Sequence, residues 1–467
     1  MRRVCVVGGG ISGLAAAWEL TGGATVRDDR PRVVLLEAAQ RLGGALRSST
    51  FAGRVVDMGP DGFLGRRPEA VQLCREVGLG EAMVPIAARG ASVWARGRLR
   101  PLPEAHALGI PTRFWSTART GILGVGGVLG LARDAVLPRP DVRGPIGDRS
   151  VGPLVARKLG QPVVDTLVDP LIGGIHAGAV DDMSAAAVFP PLLAAAQRRG
   201  SLMRALRAEV PTPQPDSPPL FWSLEGGMAA LVRALASGLE RRGVELRASA
   251  PALRLTRAGA GWTVAAEGWA TEADAVVLAT PAWVTAALLR PHDDEAAALL
   301  DAIDYASVVV VTFRVRPDSV PAGAIGTGFL VPRRERRADG DAWAVTACTY
   351  LDRKWPHLAR DGEVLLRASL GRVDDTRPDA WTDAEVAERA WQELAELWGV
   401  AGQPEESMVS RYPRAFPQYR VHHLLRAAGV EAAVARLGGL AVAGAAYHGV
   451  GIPACVGSGR AAAHALL

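Results

Sequence analysis

The chain has 467 residues, 49% of them apolar, which suffices for two or three domains with sizeable cores. Its formal charge of +5 is arginine-borne, since only Lys158 and Lys354 among the 53 basic residues are lysine, and acidic side chains are interspersed throughout; this argues against a nucleic-acid surface. Cys5, Cys74, Cys348 and Cys455 stand far apart and no apolar run reaches the ~20 residues of a membrane span, so a disulfide framework, a zinc site and an integral membrane protein are disfavoured and a cytoplasmic location is expected.

MRRVCVVGGG reads as a buried parallel strand over residues 3–8 that runs into a turn, its apolar stretch too brief for a signal peptide. GGGISG then places Gly8, Gly10 and Gly13 in G-x-G-x-x-G spacing at the start of a helix over 11–20. In that setting the first glycine permits a tight turn, the second lets backbone approach a pyrophosphate, and the third lets helix and strand pack closely. The phosphate rests on the helix N-terminus. A second apolar run, 32–36, ends at Glu37, whose carboxylate suits a ribose 2′-hydroxyl and repels the 2′-phosphate of NADP. The following segment separates FAD from NAD. AAQRLGGALRSS contributes Gly43, Gly44 and Arg47, and VVDMGPDGF contributes the rigid Gly59–Pro60 turn. A nicotinamide dinucleotide is held mainly by its βαβ unit, whereas a flavin is wrapped by several loops.

Residues 61–210 are mixed, with helical stretches expected at 69–77, 151–158 and 185–207. Between 86 and 133, Arg89, Arg96, Arg98, Arg100, Arg113, Arg119 and Arg133 accompany a single acid, Glu104. Trp94, Leu99, Leu102, Phe114, Trp115 and the apolar run 121–132 are interleaved with them. This is either a solvated basic face or a surface for an anionic ligand, an anionic membrane or a partner protein. The Pro-rich stretch PTPQPDSPP (211–219) marks a boundary. A helix over 228–242 follows, and strands at 244–246 and 275–279 return to the first sheet. Strands at 308–313 and 364–369 belong to a second sheet. Thr382, with Glu385 three positions on, opens a helix over 382–397. A last strand, 440–443, leads into GAAYHGVGIPACVGSG, so dense in glycine that backbone must approach something closely there. One ligand would account for both glycine clusters.

The E-x5-GG and D-x-G-P motifs at residues 37–60 resemble the flavin-containing amine oxidase superfamily. Within it, IGGIHAGAVDDMSAAAVFPPL (172–192), FWSLEGGMAALVRALA (221–236), VVLATPAW (276–283), RAFPQYRVHH (414–423) and YHGVGIPACVGSGRAAA (447–463) resemble successive blocks of the protoporphyrinogen/coproporphyrinogen oxidase family, in particular its bacterial coproporphyrinogen branch. The resemblance covers nearly the whole chain. It implies an α/β fold: a Rossmann-like FAD-binding domain (1–70, 211–285 and 411–467), a helical insertion with a substrate region (71–210), and a substrate domain built on a second mixed sheet (286–410).

It also implies an FAD-dependent oxidase that removes six electrons from coproporphyrinogen III in haem biosynthesis, with O2 as acceptor and H2O2 as product. The alternatives are a protoporphyrinogen IX oxidase, or an amine oxidase or desaturase on the same scaffold. The implied cofactor contacts are Gly8, Gly10, Gly13, Glu37, Gly43, Gly44, Arg47, Gly59, Pro60, Ala279, Gly444, Gly451 and Ile452. Gly449, Gly457 and Gly459 bring backbone onto the flavin ahead of a helix over 460–466. Arg66, Arg67, Gly174 and His176 are the implied substrate contacts, with Arg96, Arg98 and Arg100 as further propionate candidates. Partners are the porphyrinogen, O2, a transient contact with the next haem-pathway enzyme and a weak peripheral membrane contact. No catalytic side chain and no metal are expected, because the cofactor carries the chemistry. His422 departs from the glycine usual at its position, and His176 from an aromatic residue. His448 is a further candidate contact, His422 and His423 are expected to be structural, and Cys455 is read as a small buried residue.

Overall fold

Val4–Val7 and Val33–Leu36 are continuous apolar runs because both faces of their sheet are covered. In the computed structural model, which describes residues 2–25, 30–136, 147–198, 200–209, 218–322 and 324–467, they form the middle of a five-stranded parallel sheet. Its order is Glu245–Arg247, Arg32–Leu36, Arg3–Val7, Ala275–Leu278, Leu440–Val442. Cys5 stands opposite Val34 on one side and Val276 on the other. The helices Ile11–Leu20, Ala229–Arg241 and Ile452–His464 supply much of the apolar cover. The sheet belongs to a compact unit made of Met1–Pro85, Pro218–Asp304 and His423–Leu467.

The second unit, Ile86–Ser217 with Tyr305–His422, is built on a seven-stranded mixed sheet. Its longest pair, Glu406–Pro417 at one edge against Tyr305–Val315, is antiparallel, and one junction, Gly328–Leu330 beside Ser92–Ala95, is parallel. The helix Asp383–Trp398 packs on this sheet and opens with the anticipated reciprocal cap between Thr382 and Glu385. Short helices gather around Val155, Leu159, Val163 and Leu167 in a separate core.

The sequence expectations need several corrections. The unit boundaries fall at 85/86, 217/218, 304/305 and 422/423, each later than the breaks expected at 70, 210, 285 and 410. Met83–Pro85 pairs with Phe221–Leu224 in the first unit, which also contains the helices Ala282–Leu289 and Asp294–Asp301, while Glu406–Pro417 is an integral strand of the second sheet. Segment 71–210 is not wholly helical, because Ser92–Ala95 and Arg98–Pro101 form a hairpin at the edge of the second sheet. The helix expected over 185–207 is three, Ala185–Val188, Pro190–Gln197 and Leu202–Glu209, since prolines interrupt the first and buried Asp134 caps the third through the Leu202 and Met203 amides. Residues 211–217 of the Pro-rich boundary lie outside the described residues.

Candidate functional site

The first strand delivers its glycines to three different tasks. Gly8 has φ +109, and a side chain there would overlap the Ala279 carbonyl oxygen of the neighbouring strand end. At Gly13 a Cβ would overlap the Gly8 carbonyl, so this glycine is what lets the helix lie on the turn. Gly10 is the contrast. It is the N-cap of Ile11–Leu20 and has no side chain with which to cap it, and a Cβ built on it meets nothing within 4 Å. The helix N-terminus therefore opens onto unfilled space beside Gly10, the arrangement a phosphate group requires.

Loop 41–47 lies against this turn. The Gly43 N–H donates to the Gly9 carbonyl (2.8 Å), and a Cβ on Gly44 would sit 3.3 Å from Gly10 Cα. Arg41 draws the Leu42 and Gly44 carbonyl oxygens to itself at 3.1 and 2.6 Å, removing acceptors that would repel an anion. Arg47, half-buried, lines a cleft of about 360 Å³ with Arg41 and Arg233. Glu37 has a task within the protein that its spacing does not announce. Its carboxylate accepts from the Gly9 N–H (2.7 Å) and the Ala39 N–H (2.8 Å), bracing the glycine turn, and each oxygen keeps a lone pair for a ribose hydroxyl.

Gly59 and Pro60 follow a hairpin, Ser48–Phe51 with Arg54–Asp57, whose fixation the motif reading missed. Buried Asp57 accepts from the Ser48 hydroxyl (2.6 Å) and the Met228 N–H (2.7 Å). The Gly226–Gly227 turn packs on it, and a Cβ on Gly227 would overlap Ser48 Oγ. The acid of D-x-G-P and the glycine pair of FWSLEGGM are thus two halves of one joint, legible only as separate motifs.

The closing segment joins the same unit. The Gly444 N–H donates to Ser458 Oγ (3.1 Å), and Gly449 has φ +141. Gly451 is the N-cap of a helix that runs Ile452–His464, not 460–466, and again the N-cap residue brings no side chain to it. Gly457 and Gly459 consequently lie inside the helix. Gly459 lets it pack on the N-terminal helix, since a Cβ there would overlap the Ser12 carbonyl; Arg460 bonds Glu76 (2.6 Å) and approaches Glu19 at 3.5 Å. Ile452 is buried in the core. Cys455 is buried as well, and burial pushes its thiol up to about 11, so it is no thiolate nucleophile.

His423 is fully buried and its Nε2 bonds the Tyr447 carbonyl (3.0 Å). His422 sits at φ +70, which explains why glycine suits that position, and its N–H donates to Asp148 (2.7 Å). His448 is paired with Glu431 at 2.6 Å, and that bond raises its pKa above the ordinary histidine value. A raised folded-state pKa gives stability that is complete below about 6.5 and lost as pH rises through the folded value. Both groups are about half exposed, so the contribution is below about 1 kcal/mol. Melting temperature measured from acid to mildly alkaline pH should fall by a small step in the wild type; Glu431→Gln should remove that step.

Of the substrate candidates, Arg66 and Arg67 are exposed in the first unit, where Arg67 pairs with Glu69 at 2.8 Å and a Cβ on Gly449 would lie 3.8 Å from its Nη1. Gly174 and His176 belong to the second unit. His176 is 8% exposed, and burial lowers its pKa to about 4, keeping the imidazole neutral. Arg96 and Gly97, both at positive φ, are the two-residue turn of the edge hairpin, with Arg98 and Arg100 on its outer strand. Arginines on an edge strand also discourage pairing with other chains. Among the described residues no cluster of His, Cys, Asp and Glu could hold a metal ion, and no helix is long and apolar enough to cross a membrane.

Residues 11–467 match the family model described as flavin containing amine oxidoreductase. A coproporphyrinogen III oxidase of Bacillus subtilis is 30% identical over 99% of this chain and 97% of its own length. One from Mycobacterium bovis is 35% identical over 98% and 96%. The crystal structure of a candidate protoporphyrinogen oxidase from an Exiguobacterium species superposes with a TM-score of 0.88, at 31% identity, over 100% of this chain and 98% of that one.

Proposed function

Because the chain belongs to the flavin containing amine oxidoreductase family, and is an FAD-dependent oxidoreductase, we propose that its substrate is coproporphyrinogen III, oxidised to coproporphyrin III. The observation that carries this reading is the end-to-end similarity to coproporphyrinogen III oxidases. The residues fit the cofactor: Gly10 and the uncapped N-terminus behind it leave room for the pyrophosphate, Gly43 and Gly44 flank it, and Glu37 has acceptors for the ribose. Arg47, Gly59, Pro60, Ala279, Gly444, Gly451 and Ile452 complete the proposed cofactor contacts. Bound there, FAD supplies two-electron oxidation, and three rounds remove the six electrons that separate a porphyrinogen from a porphyrin. With O2 as acceptor the balance is one porphyrinogen and three O2 to one porphyrin and three H2O2. The chain's own residues orient the substrate and exclude water, which is why no acid–base pair is assigned. Neutral His176, beside Gly174, offers a hydrogen-bonding imidazole without adding charge.

Substrate choice tests the proposal. Coproporphyrinogen carries four propionates, protoporphyrinogen two. We assign Arg66 and Arg67 to propionates; their exposure limits each contact to about 1 kcal/mol, or roughly fivefold. The wild type should therefore oxidise coproporphyrinogen with the higher kcat/KM, and Arg67→Ala should lower that value severalfold while leaving protoporphyrinogen nearly unaffected. A wild type that prefers protoporphyrinogen supports the second reading, which the name of the Exiguobacterium protein favours.

We also assign a weak membrane contact to the helices Phe114–Ala118 and Val125–Val136. Trp115, Val125, Leu129 and Val136 are 67, 78, 63 and 75% exposed, and the neighbouring exposed charges are Arg113, Arg119 and Arg133. Exposed apolar side chains on two helices with exposed arginines nearby in the chain complement an anionic bilayer surface. Flotation with anionic vesicles should succeed at low salt and fail at high salt, because exposed charges are screened over roughly 8 Å at physiological ionic strength. Val125→Glu with Leu129→Glu should abolish it, and equal recovery on neutral vesicles would rule the contact out.

A further inference from the structure

Residues 173–180 form a turn held from several elements at once. Gln418 donates to the His176 carbonyl (2.9 Å) and the Val373 N–H to the Ala177 carbonyl (2.8 Å). Arg333 donates to the Gly178 carbonyl (2.8 Å), and the Val180 N–H donates to Asp169 Oδ1 (3.2 Å). Asp169 is 7% exposed, and its other oxygen lies 3.4 Å from Arg333 Nε and 3.9 Å from Arg372 Nη1. Arg333 pairs in addition with Asp374.

Two backbone features raise the cost of this arrangement. Ala177 sits at φ +50, a conformation worth about 1–3 kcal/mol of strain in a residue with a side chain. The turn also grows out of Val164–Gly173, a π-helical segment with Pro170 inside it. Such segments are rare and cluster at functional sites. What the turn presents is Ile175, 49% exposed, followed by His176, whose buried Nδ1 has no hydrogen-bond partner among the described residues. Packing alone gives no reason to clamp an exposed isoleucine and an unsatisfied imidazole so firmly.

We propose that Arg333 and Asp169, backed by Arg372, are positioning residues: through the Gly178 carbonyl and the Val180 amide they hold the Ile175–His176 turn in the geometry that receives the tetrapyrrole. This rests on the assignment of His176 as a substrate contact. None of the three positioning residues is asked to touch the substrate itself.

The test is a double-mutant cycle on the flavin-loaded enzyme with Arg333→Gln and His176→Ala, read as KM and kcat for coproporphyrinogen. Coproporphyrin binding, followed by fluorescence quenching, is the second readout. Arg333→Gln should raise KM and weaken porphyrin binding by roughly ten- to a hundredfold, with kcat within twofold and flavin content unchanged. In the double variant the effects should overlap, so that Arg333→Gln adds less than about twofold once His176 is gone. Arg333→Lys, which keeps a donor for the Gly178 carbonyl, should recover part of the affinity, and it serves as the test variant if Arg333→Gln fails to fold. Multiplying effects in the double variant, or a lower melting temperature with KM unchanged, would overturn the proposal. If His176→Ala alone leaves KM and porphyrin binding unchanged, the assignment of His176 is wrong and the positioning role falls with it. A wild type that binds no porphyrin sinks the functional reading itself, and is seen before any variant is made.

Discussion

Gly10→Val should purify as a folded protein without flavin, and Gly13→Val should not fold at all. The two glycines are three residues apart in one motif, yet their surroundings are opposite. A side chain at Gly10 meets no protein atom within 4 Å, and the backbone there has φ −68 and ψ 176, which valine adopts freely. The fold loses about 1 kcal/mol for a poor N-cap and nothing more. The branched side chain instead fills the space in front of the helix N-terminus, where the pyrophosphate would lie, so binding is lost sterically. At Gly13 the added carbon overlaps the Gly8 carbonyl oxygen, a backbone atom at a strand end that cannot move aside. Displacing the first helix from the sheet costs about 3 kcal/mol or more. Circular dichroism melts together with the flavin-to-protein absorbance ratio separate the two. Near-normal flavin in Gly10→Val would remove the N-terminal motif from the cofactor site.

Asp57→Ala should be the most damaging substitution outside the glycines. Asp57 is 5% exposed, and its loss strands the Met228 N–H and the Ser48 hydroxyl. An unsatisfied buried group costs about 1–3 kcal/mol, which the buried Met228 N–H incurs in full, while the half-buried Ser48 hydroxyl adds less. The joint it ties lies between Arg47 and Gly59 in the chain, so flavin affinity should fall along with the melting temperature. Asp57→Asn retains a carbonyl acceptor and should lose less than half as much. If the two variants behave alike, the carboxylate is not what holds the joint.

The parts of this molecule that could be read from sequence are those whose cause is local. Strand, glycine turn and helix at residues 3–20 follow from apolar periodicity and spacing, and the Thr382–Glu385 cap follows from two side chains three residues apart. The second mixed sheet was foreseeable from β-branched runs at 308–313 and 364–369. What failed had a distant cause. The hairpin at 92–101 joins the second sheet through Gly328–Leu330, more than two hundred residues later, so nothing near it announces its partner. The closing helix begins at Ile452 although glycines follow it, because Gly459 is required by Ser12 across the helix pair and breaks nothing locally. The Arg333–Asp169 contact was invisible for the same reason. Its members are an arginine in a run of arginines and an acid in an apolar stretch, and only the fold pairs them.

The five-stranded sheet takes its strands from residues 3–7, 32–36, 245–247, 275–278 and 440–442, with the second unit's chain inserted between them. On the ribosome, the strand Ala275–Leu278 meets partners that have already emerged, but its other edge waits for Leu440–Val442. At roughly 5–20 residues per second that interval lasts about 8–30 s. Throughout it, a row of unpaired amides and carbonyls flanked by Val276, Val277 and Leu278 is open to strands of other chains. Slow codons or starvation in the last third of the message would lengthen the exposure without altering a single residue. The yield of active enzyme should thus depend on chaperone capacity during synthesis more steeply than its final stability suggests.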